Sequence, residues 1–206
     1  MDGPLTRGIL DLQLLRKLWL GENTNIDFLV NLMVHIGVVA ILPIADSNGF
    51  QRFLVPAMIT EQMNVGDFSE SKVLLKYLNI TSVDGEYRIS FRFDQDFTPA
   101  AYYNRVVTRL VTVWRESYTE KDPTILPNGC LLSIGHVRYV LILNTKGDTF
   151  IIDVLTSTKD HNDVIIPHVS KAMTDINNEM YRGNLHFGHS GQTKSFDLEQ
   201  VGGTNH

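Results

Sequence analysis

Residues 95–110, QDFTPAAYYNRVVTRL, concentrate side chains that could bind a substrate, nucleic acid or another protein. Two adjacent tyrosines, Tyr102 and Tyr103, are followed by Arg105 and Arg109, which stand one helical turn apart. Tyrosine and arginine combine large contact area with hydrogen-bond donors, and both are enriched at the energetic centres of protein interfaces. The residue types alone leave three functions open: binding a substrate, binding nucleic acid, or forming a contact between two domains or subunits.

The same stretch predicts a helix from about Pro99 to Tyr118. Thr98 suits the N-cap, and Pro99 suits the first helical position, where its missing N–H costs nothing. Apolar residues then repeat at helical spacing and cover most of the circumference: Tyr102, Tyr103, Val106, Val107, Leu110, Val113 and Trp114. Such a helix needs partners on two sides, which its own sheet and a neighbouring domain or subunit could supply. A core helix with two solvated arginines remains open as the alternative.

Signals for catalysis, metal or cofactor binding are weak elsewhere in the chain. The sequence has no GxxxxGK[ST] or GxGxxG loop, so we expect no GTP or ATP site within it. His186 and His189 lack the Cys/His partner spacing of a structural zinc site. Ser133 and His136 are close in sequence but have no third, orienting group. We therefore expect no catalytic, cofactor-binding or metal-binding residues.

Composition narrows the possible partners and the compartment. The chain has 206 residues, 43% of them hydrophobic, and a net charge of −5, which argues against nucleic acid or an anionic membrane as a partner. The single cysteine, Cys130, lies in the apolar run CLLSI and predicts a buried structural thiol in a reducing compartment. No apolar stretch is long enough to span a bilayer, and no signal peptide is recognisable, so a cytoplasmic location is expected.

The first predicted unit covers residues 5–60 and consists of two helices followed by a β-hairpin, as in the latter part of a winged-helix arrangement. Asp11 can cap the first helix, while Asn25 precedes the second and Gly37 ends it. The runs VVAILPI and FQRFLVPAMI flank a turn at ADSNG, which predicts the hairpin. The second helix is expected to direct one apolar side to the core: Leu29, Leu32, Met33 and Ile36. Residues 61–85 are interpreted as a connection.

The second predicted unit, residues 86–182, has the element order β-α-β-β-β-α. YRISFRF alternates apolar and polar residues, and CLLSI, VRYVLILN and TFIIDVLT are further strand candidates. A final helix from about Asp163 to Tyr181 directs a row of residues to the core: Ile165, Val169, Ala172, Met173 and Ile176. Two helices on one face of a mainly antiparallel sheet make an α/β sandwich, so the predicted fold class is α+β. Residues 183–206 are expected to form a flexible tail.

The motif FxFdxxFTPaayyNRvvtRL is similar to the start of the C-terminal half of the COR domain, the module that follows the Ras-like Roc GTPase in Roco proteins. In that family a proline starts the helix, one arginine follows six residues later and another four after that. Pro99, Arg105 and Arg109 stand at those steps, whereas Ala101 replaces a common glycine.

Other segments carry the same resemblance in the same order. GILDLQLLRKLW, LVNLMVHIGVVAIL and RFLVPAMI resemble the glycine-started helix, the following helix end and the strand end of the N-terminal COR half. LPNGCLLSIGHVRYVLILN and DTFIIDV resemble the strand series of the C-terminal half. The resemblance covers nearly all of residues 8–181, although the earlier part of the N-terminal half and the Roc GTPase have no counterpart in the sequence.

What the resemblance implies is a non-catalytic interaction module of a Roco-type protein, which couples association or domain arrangement to an attached GTPase. The expected partners are a Roc GTPase domain in the same or a partner chain and a second copy in a homodimer, with GTP expected only in the Roc domain. The candidate interaction surface is then the side chains of Tyr102, Tyr103, Arg105, Arg109 and Trp114.

Two other function classes stay open. A winged helix can bind nucleic acid, but Arg16, Lys17 and Arg52 are nearly all the basic residues of the first unit, so charge neutralisation of phosphate would be weak. A small enzyme with an unrecognised site would require a deep polar pocket with perturbed titratable groups.

Overall fold

The structure, a computed structural model, describes residues 8–19, 25–42, 45, 48–59, 86–93, 101–116, 124–126, 129–146, 149–157 and 162–194. Within these ranges the chain forms antiparallel sheets combined with helices. The predicted α+β fold class is therefore confirmed. The predicted connection at 61–85 and the predicted helix start at Thr98 and Pro99 lie outside the described residues.

The first unit is a small three-stranded sheet with two helices. Its elements are β1 (Ile9–Asp11), α1 (Leu12–Trp19), α2 (Ile26–His35), β2 (Ala40–Ile41), β3 (Arg52–Leu54) and a 3-10 turn at Pro56–Met58. The strand order is β1-β3-β2, and both pairings are antiparallel. The predicted hairpin is present as β2 and β3, with Ala40 opposite Leu54.

The helix ends in this unit follow the capping residues predicted from the sequence. The Asp11 carboxylate accepts a hydrogen bond from the backbone N–H of Leu14 at 2.6 Å. The Asn25 side chain accepts one from Phe28 at 3.1 Å, which satisfies an N–H that the helix itself leaves unpaired. Gly37 follows α2 with a φ of +71°, a left-handed conformation that favours glycine.

Strand β1 was not predicted, because its three residues merge with the apolar pattern of α1. It depends on Gly8, whose φ is +64°. A Cβ atom at Gly8 would lie 2.6 Å from the carbonyl oxygen of Val55, while the Val55 N–H donates to the Gly8 carbonyl at 2.8 Å. Only glycine allows the two backbones to approach this closely.

The second unit is a six-stranded sheet with two long helices. Its elements are β4 (Glu86–Phe93), α3 (Tyr102–Glu116), β5 (Thr124–Leu126), β6 (Gly129–Ile134), β7 (Val137–Lys146), β8 (Thr149–Thr156), α4 (Asn162–Tyr181) and β9 (Phe187–Lys194). The strand order is β5-β6-β7-β8-β4-β9, with antiparallel pairing throughout. The predicted strands correspond to β4, β6, β7 and β8, and the predicted helices to α3 and α4.

The expectation of a flexible tail from residue 183 is wrong for Phe187–Lys194. This segment is β9, which pairs with β4 along its whole length, from Glu86 opposite Lys194 to Phe93 opposite Phe187. With Phe187 as its one apolar residue the segment has no alternating apolar pattern, so the strand is stabilised by pairing with β4 rather than by its own propensity. Strand β5 was likewise not predicted.

A single asparagine side chain fixes the connection between α4 and β9. The Asn177 Nδ2 atom donates to the carbonyl of Leu185 at 2.6 Å, and the Leu185 N–H donates to Asn177 Oδ1 at 3.0 Å. The Gly183 N–H donates to the Asn177 carbonyl at 3.1 Å, in a turn where Arg182 has a φ of +53°. These bonds bring the chain back from α4 toward β4, where the Phe187 ring contacts Phe93 at 5.8 Å between centroids.

The main core lies between the sheet and the two helices. Alternate residues of β4, β7 and β8 face α3 and α4, for example Phe91, Leu141 and Val154. All five core residues predicted for the last helix are buried: Ile165, Val169, Ala172, Met173 and Ile176. In the described ranges, no helix is both long enough and apolar enough to cross a membrane.

The Asn177 contacts predict a specific loss of stability. Replacing Asn177 by Leu leaves the Leu185 N–H and carbonyl buried without partners, so the free energy of unfolding should fall by about 1–3 kcal/mol in urea denaturation. Amide hydrogen exchange in β9 should accelerate more than exchange in β7. The same change at the exposed neighbour Asn178 is the matched control and should cost little. Equal effects of the two variants would contradict the role assigned to Asn177.

His168 on α4 predicts a pH dependence of stability. Its ring contacts Tyr139 at 6.1 Å between centroids, and its buried Nε2 atom has no hydrogen-bond partner in the described part of the chain. Burial lowers the pKa of His168 below its usual 6.5. The unfolded chain therefore takes up the proton first, and the free energy of unfolding should fall as the pH drops below about 6.5. His168→Leu should show a shallower fall in pH-dependent urea denaturation, whereas parallel profiles would show that this protonation is not linked to folding.

Candidate interaction surface

Helix α3 is buried between the two units. It contacts α4 and β6 of the second unit, and β2 and the 3-10 turn of the first. Its buried hydrophobic residues are Tyr102, Tyr103, Val106, Val107, Leu110 and Val111. They share one hydrophobic core with Ala40, Leu42, Leu54 and Ile59 of the first unit. The second packing partner that the apolar circumference of α3 requires is therefore supplied by the same chain.

Tyr102 is a core residue that joins α3 to α4. Its hydroxyl donates a hydrogen bond to the Met173 carbonyl at 3.1 Å. Its ring packs edge-on against Phe93, with centroids 5.1 Å apart, and contacts Tyr181 at 5.8 Å. Burial, with a smaller contribution from Tyr181, raises the pKa of Tyr102 far above its usual value, so the phenol stays neutral.

Tyr103 is buried beside Cys130 of β6. Burial raises the pKa of the Cys130 thiol to about 12, so this cysteine is held as the thiol, and it also raises the pKa of Tyr103. A thiol is a weak hydrogen-bond partner, and no regular hydrogen bond satisfies the Tyr103 hydroxyl among the described residues. The buried, inert thiol predicted for Cys130 agrees with this position.

The prediction that Tyr102 and Tyr103 belong to an interaction surface is wrong for the folded chain. Their exposed fractions are 0% and 2%, so neither can contact a partner without partial unfolding. The sequence pattern was compatible with this outcome, since a broad apolar stripe indicates that something covers the helix without indicating what. The side chain of Trp114 lies outside the described residues.

Arg109 lies at the surface and bridges the two helices. Its Nη2 atom is 2.5 Å from the Glu179 carboxylate on α4, and both side chains are partly exposed. An exposed ion pair of this kind contributes little to stability, typically up to about 1 kcal/mol, because water and salt screen it. The pair links α3 to α4. The positive charge of Arg109, which was expected to contact a partner protein, is therefore paired within the chain.

Arg105 is half-buried and lies against the first unit. A Cβ atom at Gly37 would lie 3.9 Å from the Arg105 Cγ, so the arginine side chain passes the end of α2. A cation is favoured at a helix C-terminus, where the backbone carries partial negative charge. The Arg105 Nε and Nη1 atoms are buried without hydrogen-bond partners in the described part of the chain. Arg105 is thus part of the contact between the two units.

Among the described residues, an exposed apolar pair lies on another helix. On α2, Phe28 and Leu32 are 63% and 41% exposed and stand one turn apart, whereas Ile26 and Val30 face the small core. The sequence placed Leu32 on the buried side, and that prediction is wrong. In a short helix with apolar residues on most sides, hydrophobicity alone does not identify the side that the fold covers.

The residues examined for catalysis and metal binding are not brought together. His186 and His189 are exposed, and no group of three or more potential metal ligands occurs among the described residues. Ser133 is buried in β6, whereas His136 is exposed at the turn that follows it.

One further polar cluster joins β4 to β8 on the face of the sheet away from α3. The Ser90 hydroxyl donates to the Asp153 carboxylate at 2.6 Å. The Arg88 guanidinium lies 3.7 Å from the same carboxylate. The cluster neutralises a buried charge and offers no arrangement of nucleophile and base that we can identify as catalytic.

Comparison with known proteins does not assign the chain to a family. Neither a scan against protein-family models nor a search of curated proteins finds a match. The structure itself defines an α+β protein whose two units are joined by one buried helix.

The two tyrosines of α3 predict different effects of removing a hydroxyl. Tyr102→Phe removes the hydrogen bond that the hydroxyl donates to the Met173 carbonyl, so the free energy of unfolding should fall by about 1 kcal/mol. Tyr103→Phe removes a buried hydroxyl that has no strong partner, so it should change stability by less than about 0.5 kcal/mol. Urea denaturation of the two variants checks this, and a larger loss for Tyr103→Phe would refute it.

Proposed function

We propose that the chain is a non-catalytic interaction module of a Roco-type protein, in which association or domain arrangement is coupled to an attached Ras-like Roc GTPase. The family assignment rests on the ordered sequence resemblance over residues 8–181. Within this proposal the first unit is the latter part of a winged-helix half, the chain binds no cofactor of its own, and it works in the cytoplasm.

The observation that carries the proposal is the burial of α3 between the two units. Because α3 contacts β2 and the 3-10 turn on one side and β6 and α4 on the other, a displacement of the first unit must move α3 or break its core contacts. Packed cores transmit such displacements because they deform little. A helix in this position suits a module that couples contacts on one unit to the arrangement of the other.

The exposed pair Phe28 and Leu32 on α2 is the contact site we assign to the Roc GTPase domain. The pair lies on the first unit, which is the unit nearest the GTPase in the arrangement that the resemblance implies. Its apolar side chains project from a helix whose opposite side is fixed in a core. Exposed aromatic and aliphatic side chains on a rigid element are suited to bury area on association.

Association with a Roc domain tests the proposal directly. Light scattering across a concentration series, with and without a purified Roc GTPase domain of a Roco protein, should detect a complex. The double variant Phe28→Gln, Leu32→Gln should weaken this complex about tenfold or more, because both apolar contacts are lost. The GTP hydrolysis rate of the Roc domain should respond to the wild-type chain and not to the variant.

Val164→Gln is the matched control, since Val164 is 43% exposed but lies on α4 of the second unit. It should bind Roc as the wild type does. A chain that remains monomeric and does not bind the Roc domain at any concentration would refute the proposal. Self-association that is lost in the α2 variant would reassign this surface to a second copy.

A further inference from the structure

Strand β9 forms an edge of the six-stranded sheet. It stands last in the strand order, and its one described neighbour is β4. It is eight residues long, whereas β5 at the opposite edge has three. Gly188, His189 and Ser190 are exposed. The outward-directed N–H and carbonyl groups of such an edge can pair with another extended chain.

The sequence of β9 lacks the devices that usually protect an edge strand. Between Phe187 and Thr193 there is no proline and no Asp, Glu, Lys or Arg residue. Charged side chains and proline on an edge prevent the addition of a further strand. Over these seven consecutive residues the strand therefore has no residue type that opposes strand addition.

One exposed positive charge lies a strand behind this edge. Arg92 of β4 is exposed, stands directly opposite Gly188, and forms no ion pair with a carboxylate in the described ranges. Gly188 has no side chain, and a Cβ atom there would meet nothing within 4 Å. The Arg92 side chain can therefore lie across Gly188 toward the outer edge.

The distances fit a carboxylate on an added strand. Neighbouring strands lie about 4.8 Å apart, so a residue opposite Gly188 on an added strand is roughly 9.6 Å from Arg92, Cα to Cα. The lengths of an arginine and a glutamate side chain together exceed this gap. On the other face of the sheet, Phe187 contacts Phe91 and Phe93 at 6.3 and 5.8 Å between centroids. The neighbours of the carboxylate residue would meet this aromatic layer.

We propose that the outer edge of β9 binds an extended acidic peptide segment of another protein as a seventh strand. A carboxylate of that segment lies opposite Gly188 and pairs with Arg92, and the residues on either side of it are apolar. This inference does not rest on the proposed function, because it uses neither α2 nor the Roc domain.

Charge favours a peptide partner over a second copy of the chain. Two β9 strands placed edge to edge would bring Arg92, which lies one strand behind each edge, toward the Arg92 of the other copy. Like charges brought together across a strand pair are destabilising, whereas an acidic segment neutralises the local charge.

Synthetic peptides test the proposal. The probe is an acetylated, fluorescently labelled nine-residue peptide with glutamate at its centre, valine at even positions and threonine at the remaining odd positions. Fluorescence anisotropy gives its affinity, and amide hydrogen exchange locates the binding site. The glutamate peptide should protect β9 amides and bind roughly fivefold more tightly than the same peptide with central glutamine, as expected for one exposed ion pair.

Variants of the chain separate the charge contact from backbone pairing. Arg92→Glu should abolish the preference for glutamate and create one for a peptide with central lysine. Gly188→Val should remove the preference by blocking the path of the Arg92 side chain, while peptide binding itself persists. Lys17→Glu, the same charge change on an exposed residue of α1, is the control and should leave the preference intact.

Three outcomes would overturn the inference. Equal affinity for glutamate and glutamine peptides would remove the carboxylate site. Peptide binding without protection of β9 would place the contact elsewhere. Protection of β9 that rises with protein concentration, in the absence of peptide, would identify a second copy as the occupant. None of these outcomes depends on whether a Roc domain binds α2.

Discussion

The burial of α3 on two sides is the constraint on which the rest of the structure depends. Six side chains of one helix enter a core that contains residues of both units. Burial of six such side chains contributes on the order of 10 kcal/mol, comparable with the whole stability of a typical domain. Neither unit can therefore shift on α3 without losing much of the free energy that keeps the chain folded. This coupling distinguishes the protein from two domains joined by a linker.

The sequence was informative wherever one residue type has one structural use. Asp11 and Asn25 begin helices because their side chains pair with otherwise unpaired N–H groups, and both hydrogen bonds are present. The alternation in YRISFRF defined β4 with its apolar residues toward the helices. The helical spacing of apolar residues along α4 also identified the face of this helix that is buried. In each case local chemistry and the global fold require the same residue at the same position.

The sequence could not reveal features that depend on distant partners. Strand β9 has one apolar residue, Phe187, and it becomes a strand because β4 offers an edge and Asn177 holds Leu185 in place. The tyrosines of α3 were assigned to an interaction surface. The apolar pattern shows that the helix must be covered, but it does not show which part of the protein covers it. For α2 the prediction differed from the structure in the opposite direction. Leu32 is as hydrophobic as a core residue, but its side chain is exposed.

The strand order has a consequence for synthesis of the protein on the ribosome. Strand β4 leaves the ribosome before either of its neighbours, since β8 follows it by about 60 residues and β9 by about 100. During that interval β4, which carries Phe91 and Phe93 on one side, has neither of its neighbouring strands to pair with. Non-local pairing of this kind slows folding and leaves apolar strands available for misassociation. The nascent chain is thus exposed to aggregation until β9 emerges, and chaperone binding to β4 would protect it during this period.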